Sequence, residues 1–110
     1  MVDKTAVALW QDYSFLTKEM LKFLAKQDMD LFYNLMNQRA MLQAIIEQTP
    51  DDDFKVSPAG RSLLSEIQQV NRNIADHLQL RMGSSKRQHQ VSEAYSSVST
   101  AAVSQMKWDR

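Results

Sequence analysis

Residues 63–82, LLSEIQQVNRNIADHLQLRM, decide the fold. Leu63, Ile67, Val70, Ile74, Leu78 and Met82 step at 4, 3, 4, 4 and 4, the spacing of one helix face. The pattern runs on more thinly through Val91 to Tyr95. It predicts a third helix of about 35 residues, against about 20 for each of the two helices before it. At about 1.5 Å per residue the surplus is roughly 20 Å, with no obvious partner in the chain. A helix that outruns its own bundle points to a protein whose work is to hold another protein.

Upstream, Ala6, Leu9, Tyr13, Leu16, Met20 and Phe23 or Leu24 form a first stripe at heptad spacing, widened by Trp10 and Leu21. Asp3 or Thr5 can cap its start. Asp28 can cap a second helix, with Asp30 in its first turn. No Gly or Pro marks the break, so a single helix kinked at 26–30 stays open. Leu31, Leu35, Leu42, Ile45 and Ile46 make the second stripe, flanked by Phe32, Met36 and Met41. Gln38 falls on this seam and reads as a register or edge residue. Thr49-Pro50 ends the helix, because the residue before proline is pushed out of the helical region. Ser57-Pro58 reads as N-cap and first helical residue of the third helix. Gly83 sits inside the long pattern, where it costs roughly 1 kcal/mol of helix propensity and favours a bend.

The composition agrees with an all-α chain. The 110 residues fit one domain and include only two Gly and two Pro, too few for the turns of a β or α/β fold. The fold expected is an antiparallel bundle of three long helices over 1–96. A short C-terminal segment, 97–110, follows as a fourth helix or a tail. No cysteine is present, which excludes disulfides and thiolate metal sites. No apolar run approaches 18 residues, so no membrane insertion is expected, and the N-terminus lacks the pattern of a signal peptide. Formal net charge is zero. Residues 1–56 carry 6 basic and 9 acidic groups and residues 57–110 carry 7 and 4, an imbalance too small to argue for nucleic acid.

Residues with chemical potential do not assemble into a site. His77 and His89 lie 12 apart, about 18 Å along a helix, and cannot share a metal there. His77 reads as a flank of Leu78. Asp51, Asp52 and Asp53 are consecutive rather than spaced as cation ligands are, and read as a solvated loop. Arg72, Arg81, Lys86 and Arg87 read as a solvated face, or as a contact for an acidic helix. No phosphate loop, nucleophile elbow or carboxylate pair appears, so no enzyme, cofactor or metal is expected. Seven methionines suit either core filling or an adaptable surface. Leu78, Met82, Val91 and Tyr95 are the partner-binding candidates. Met106 and Trp108 are candidates for a tail that covers them.

Two stretches carry a resemblance. QDMDLFYNLMNQRAMLQAI, residues 27–45, is similar to the second helix of the small flagellar export chaperones of the FliT type: an acidic cap, leucines at helical spacing, then Arg39, Leu42 and Ile45. AYSSVSTAAVSQMKWDR, residues 94–110, resembles the ends of Gram-positive members, with Tyr95, Met106, Trp108, Asp109 and Arg110 at the matching positions. Asn71 and Asn73 are similar to the Asn-rich pattern of the related FlgN-type chaperones. The resemblance implies a cytoplasmic chaperone of the flagellar type III export pathway. It would bind a filament-cap or hook-associated protein, and the export apparatus in turn. It also implies that the C-terminal segment covers the binding surface in the free state. Two other readings fit the stripes: a self-associating coiled-coil protein, and an adaptor that binds a transcription regulator.

Overall fold

A computed structural model describes residues 5–51, 53–81 and 91–98. The chain is an all-α bundle. Helix α1 spans Ala6–Ala25, α2 Met29–Glu47 and α3 Pro58–Arg81. Residues 91–98 form a further helix, α4. No strand occurs among the described residues, and no helix among them is long and apolar enough to cross a membrane.

The caps are those the local sequence calls for. Thr5 accepts from the Ala8 amide at 3.2 Å and Asp28 from the Leu31 amide at 3.2 Å. Between α1 and α2 the chain breaks rather than kinks. Gln27 takes the left-handed conformation, φ 63°, in place of the usual glycine. Its amide donates to Leu24 O and the Asp28 amide to Phe23 O, which satisfies the last carbonyls of α1. Arg81, at the far end of α3, donates to Leu24 O at 3.4 Å.

The α2–α3 loop is built, not merely solvated. Asp51 accepts from the Lys55 amide through its carboxylate and from the Phe54 amide through its carbonyl. That turn aims Phe54 inward, where it stacks on Trp10 with ring centres 6.5 Å apart. Ser57 caps α3 by accepting from the Gly60 amide at 3.0 Å and donates to Phe54 O at 2.7 Å. A Cβ on Gly60 would lie 1.6 Å from Phe54 O, so only glycine fits where the loop crosses the helix.

The overlong third helix is corrected. Asn71 Nδ2 lies 3.1 Å from Val98 O. A straight helix would set those residues about 40 Å apart. Residues 91–98 therefore do not continue α3 as one straight helix but lie beside it, as the separate helix α4. The surplus stripe has found its partner, and the partner is the chain itself.

Two apolar clusters fill the bundle. One joins Trp10, Tyr13, Ile46, Phe54, Leu64 and Ile67 with Ala6 and Leu9. The other joins Met20, Leu24, Phe32, Ile74 and Leu78 with Val91, Ala94 and Val98 of α4. The α3 stripe is close to that expected. The α2 stripe holds in part: Ile46 is buried and Leu35 and Leu42 pack against the clusters, but Leu31 and Ile45 are exposed, and Phe32 and Arg39 point inward in their place.

Candidate protein-binding face

Of the residues expected to bind a partner, Leu78 and Val91 are buried. Leu78 is 0% exposed and Val91 3%, and both lie in the same core cluster. Tyr95 is half-buried against that cluster. Met82, Met106 and Trp108 lie outside the described residues, as do Gly83 and His89. His77 is exposed on α3. No group of three His, Cys, Asp or Glu side chains gathers among the described residues.

The unusual surface is on α2. Residues 31–46, LFYNLMNQRAMLQAII, contain one charged residue, Arg39, and it is buried. The solvent side of those four turns is therefore uncharged. Met41 is 70% exposed, Ile45 52% and Leu31 36%. Asn34 and Gln38 lie between them and bond to each other, Gln38 Nε2 donating to Asn34 Oδ1 at 2.7 Å. That bond spends part of their capacity for water. Leu31, Leu35, Gln38, Leu42 and Ile45 step at 4, 3, 4 and 3, a heptad seam along the edge of the buried face. On the other flank Tyr33, Met36 and Asn37 line a groove with Glu93, Ala94 and Ser97 of α4.

The other helices present charge. On α3, Arg61, Glu66, Arg72 and Asp76 are exposed, and Leu80 is its one exposed large apolar residue. On α1, Phe15 is exposed beside Lys18 and Lys22. Lys18 pairs with Glu66 at 3.1 Å. Lys22 and Lys26 stand 5.0 and 5.6 Å from the Phe23 ring centre.

Behind the uncharged face lies a polar layer. Arg39 Nη1 donates to Thr17 Oγ1 at 3.1 Å and to Asn71 Oδ1 at 2.9 Å. Thr17 donates to Tyr13 O at 2.7 Å. The guanidinium also stands 5.1 Å from the Tyr13 ring centre, and Tyr13 donates to Gln43 Oε1 at 3.3 Å. Burial lowers the Arg39 pKa, with Tyr13 opposing it. Burial likewise raises that of Tyr13, which Arg39 opposes and Glu47 reinforces. No carboxylate among the described residues lies within ion-pair distance of Arg39. Taking a guanidinium out of water without a counter-ion costs several kcal/mol. The hydrogen bonds to Thr17 and Asn71 and the Tyr13 ring offset part of that.

The layer has a signature in the sequence. Thr17 and Asn71 occupy stripe positions in the rows 10-13-17-20-24 and 64-67-71-74-78, and Arg39 lies midway between Phe32 and Ile46. Three polar residues at matching heptad positions mark a layer across a bundle. No protein-family model, curated protein or solved structure matches the chain.

Proposed function

We propose that the chain is a protein-binding module that receives an amphipathic helix of its partner on the outer face of α2. The observation that carries this reading is the uncharged surface of residues 31–46, with Leu31, Met41 and Ile45 in solvent. Depletion of charge and enrichment in Met mark the centres of protein interfaces. A helix laid along this seam follows the helix-in-groove mode, with anchors recurring every three or four residues. Each exposed apolar side chain fully buried contributes about 1.5–3 kcal/mol before the cost of association.

The partner class follows from the resemblance of residues 27–45, most of which lie in α2, to FliT-type chaperones. On that reading the chain is a cytoplasmic flagellar export chaperone and the partner is a filament-cap or hook-associated protein. Leu78 and Val91 cannot serve as contacts while α4 is seated, so they join the surface only if α4 leaves. The 4, 3, 4, 3 seam supports a second reading, self-association through the same face, which light scattering across concentration separates from the first.

The test is calorimetric titration of the full chain with the purified filament-cap and hook-associated proteins of the same genome. Binding of one of them at one to one, weakened at least tenfold by Met41→Glu, supports the reading. No binding of either, or binding indifferent to Met41→Glu, overturns it.

A further inference from the structure

Asn71 is fully buried, and its two amide atoms face different helices. Its Oδ1 accepts from Arg39 of α2 and its Nδ2 donates to the Val98 carbonyl of α4. A carboxamide can turn over, but this one has a single usable orientation. Arginine has only donors, so the atom facing it must be the oxygen. The nitrogen is then forced toward α4.

We infer that Arg39 is a positioning residue for α4: by holding the Asn71 carboxamide in one orientation, it seats residues 91–98 on the bundle. The chain of contacts is continuous. Tyr13 O holds Thr17, Thr17 and Asn71 hold Arg39, and Asn71 holds Val98. The apolar contacts of α4 need such help. Its fully buried side chains, Val91, Ala94 and Val98, are small, its one large apolar contact, Tyr95, is only half-buried, and the sequence beyond repeats small residues at Ala101 and Ala102. Shape alone therefore discriminates weakly between seatings of this helix. A buried polar contact supplies specificity that small apolar residues lack, at a cost in stability. This accounts for an arginine with no carboxylate partner among the described residues at a place where methionine would pack.

The role is read by hydrogen exchange at the amides of 91–98, compared with those of α1 and α3 in the same full-length chain. Asn71→Asp is the decisive variant. A carboxylate there pairs with Arg39 and keeps the α1–α3 layer together, but it has no donor for Val98 O. Protection of 91–98 should fall by about tenfold while α1 and α3 keep theirs. Arg39→Met should lower protection of 91–98 by a smaller factor, because the freed amide samples both orientations. Arg39→Lys, which keeps a donor toward Asn71, should restore part of it. Undiminished protection of 91–98 in Asn71→Asp overturns the inference. So does a loss spread equally over α1, α3 and 91–98, which would make the layer a general prop rather than a seat for α4.

Discussion

The two sides of α2 invert the ordinary arrangement of a surface helix. Its inner side holds the helix's only charge between Asp30 and Glu47, and its outer side holds none. Helix α3 does the reverse, with apolar residues and one asparagine inside and Arg61, Glu66, Arg72 and Asp76 outside. Solvation favours the α3 pattern, so the α2 pattern needs another cause at each side. Inside, the cause proposed is the seating of α4. Outside, it is a partner. Substitutions at inner and outer positions should therefore separate folding from binding.

The largest effect is expected where helix and loop touch. Gly60→Ala puts a methyl group into Phe54 O, and the loop must lift with Phe54. Overpacking of this kind costs about 3 kcal/mol or more, read as a fall in the denaturant midpoint. An unchanged midpoint would show that the loop does not anchor α3.

Next is Arg39. Arg39→Ala leaves a cavity and strands Asn71 Oδ1 and Thr17 Oγ1 without their donor, and should cost about 2–4 kcal/mol. Arg39→Met strands the same two acceptors but fills the space, so it should cost less than Arg39→Ala, about 1–2 kcal/mol. Equal losses in the two variants would contradict the claim that the inner charge serves α4 rather than stability.

A smaller gain is expected at the α1–α2 break. Gln27 holds a left-handed conformation that costs a side-chain residue about 1 kcal/mol, so Gln27→Gly should stabilise by about that amount in urea unfolding. The position lies outside both faces of α2 and should leave partner binding untouched.

The smallest effect concerns pH. Burial raises the Tyr13 pKa above its ordinary 10.0, so the unfolded chain ionises first. The stability tied to neutral Tyr13 is fully present below about pH 10 and is lost as pH rises through and beyond it. Tyr13→Phe should flatten that alkaline limb of a stability–pH curve.

Much of this architecture was legible in the residues. Apolar periodicity located three helices, Asp28 and Ser57-Pro58 announced two starts, and Thr5 was one of two candidates for the first. The separate α4 beside α3 was not legible, because Val91, Ala94 and Val98 keep the helical period of the stripe before them, and periodicity does not report a break. On α2 the stripe was only partly legible for a related reason: Ile46 is buried as expected, but Leu31 and Ile45 are not. The rows through Leu31-Gln38-Ile45 and Phe32-Arg39-Ile46 differ by one residue, about 100° around the helix. Hydropathy ranks the row with glutamine above the row with arginine. Only the pairing of Arg39 with Thr17 and Asn71, three polar residues from three helices, makes the charged row the inner one. The uncharged outer side of α2, the face proposed for a partner, gives no signal in stripe length, so its residues were not among those expected to bind.

The outer face of α2 is proposed to bind a partner without contributing to folding. The most direct test is the double variant Met41→Glu/Ile45→Glu, measured in parallel by urea unfolding and by calorimetric titration with the filament-cap or hook-associated protein that binds the native chain. The account predicts an unfolding free energy within about 0.5 kcal/mol of the native value, because both side chains are already in solvent. It also predicts binding weakened by at least about thirtyfold, the loss of one or two buried anchors. Full binding by the double variant, or a loss of binding matched by a loss of stability, would contradict it.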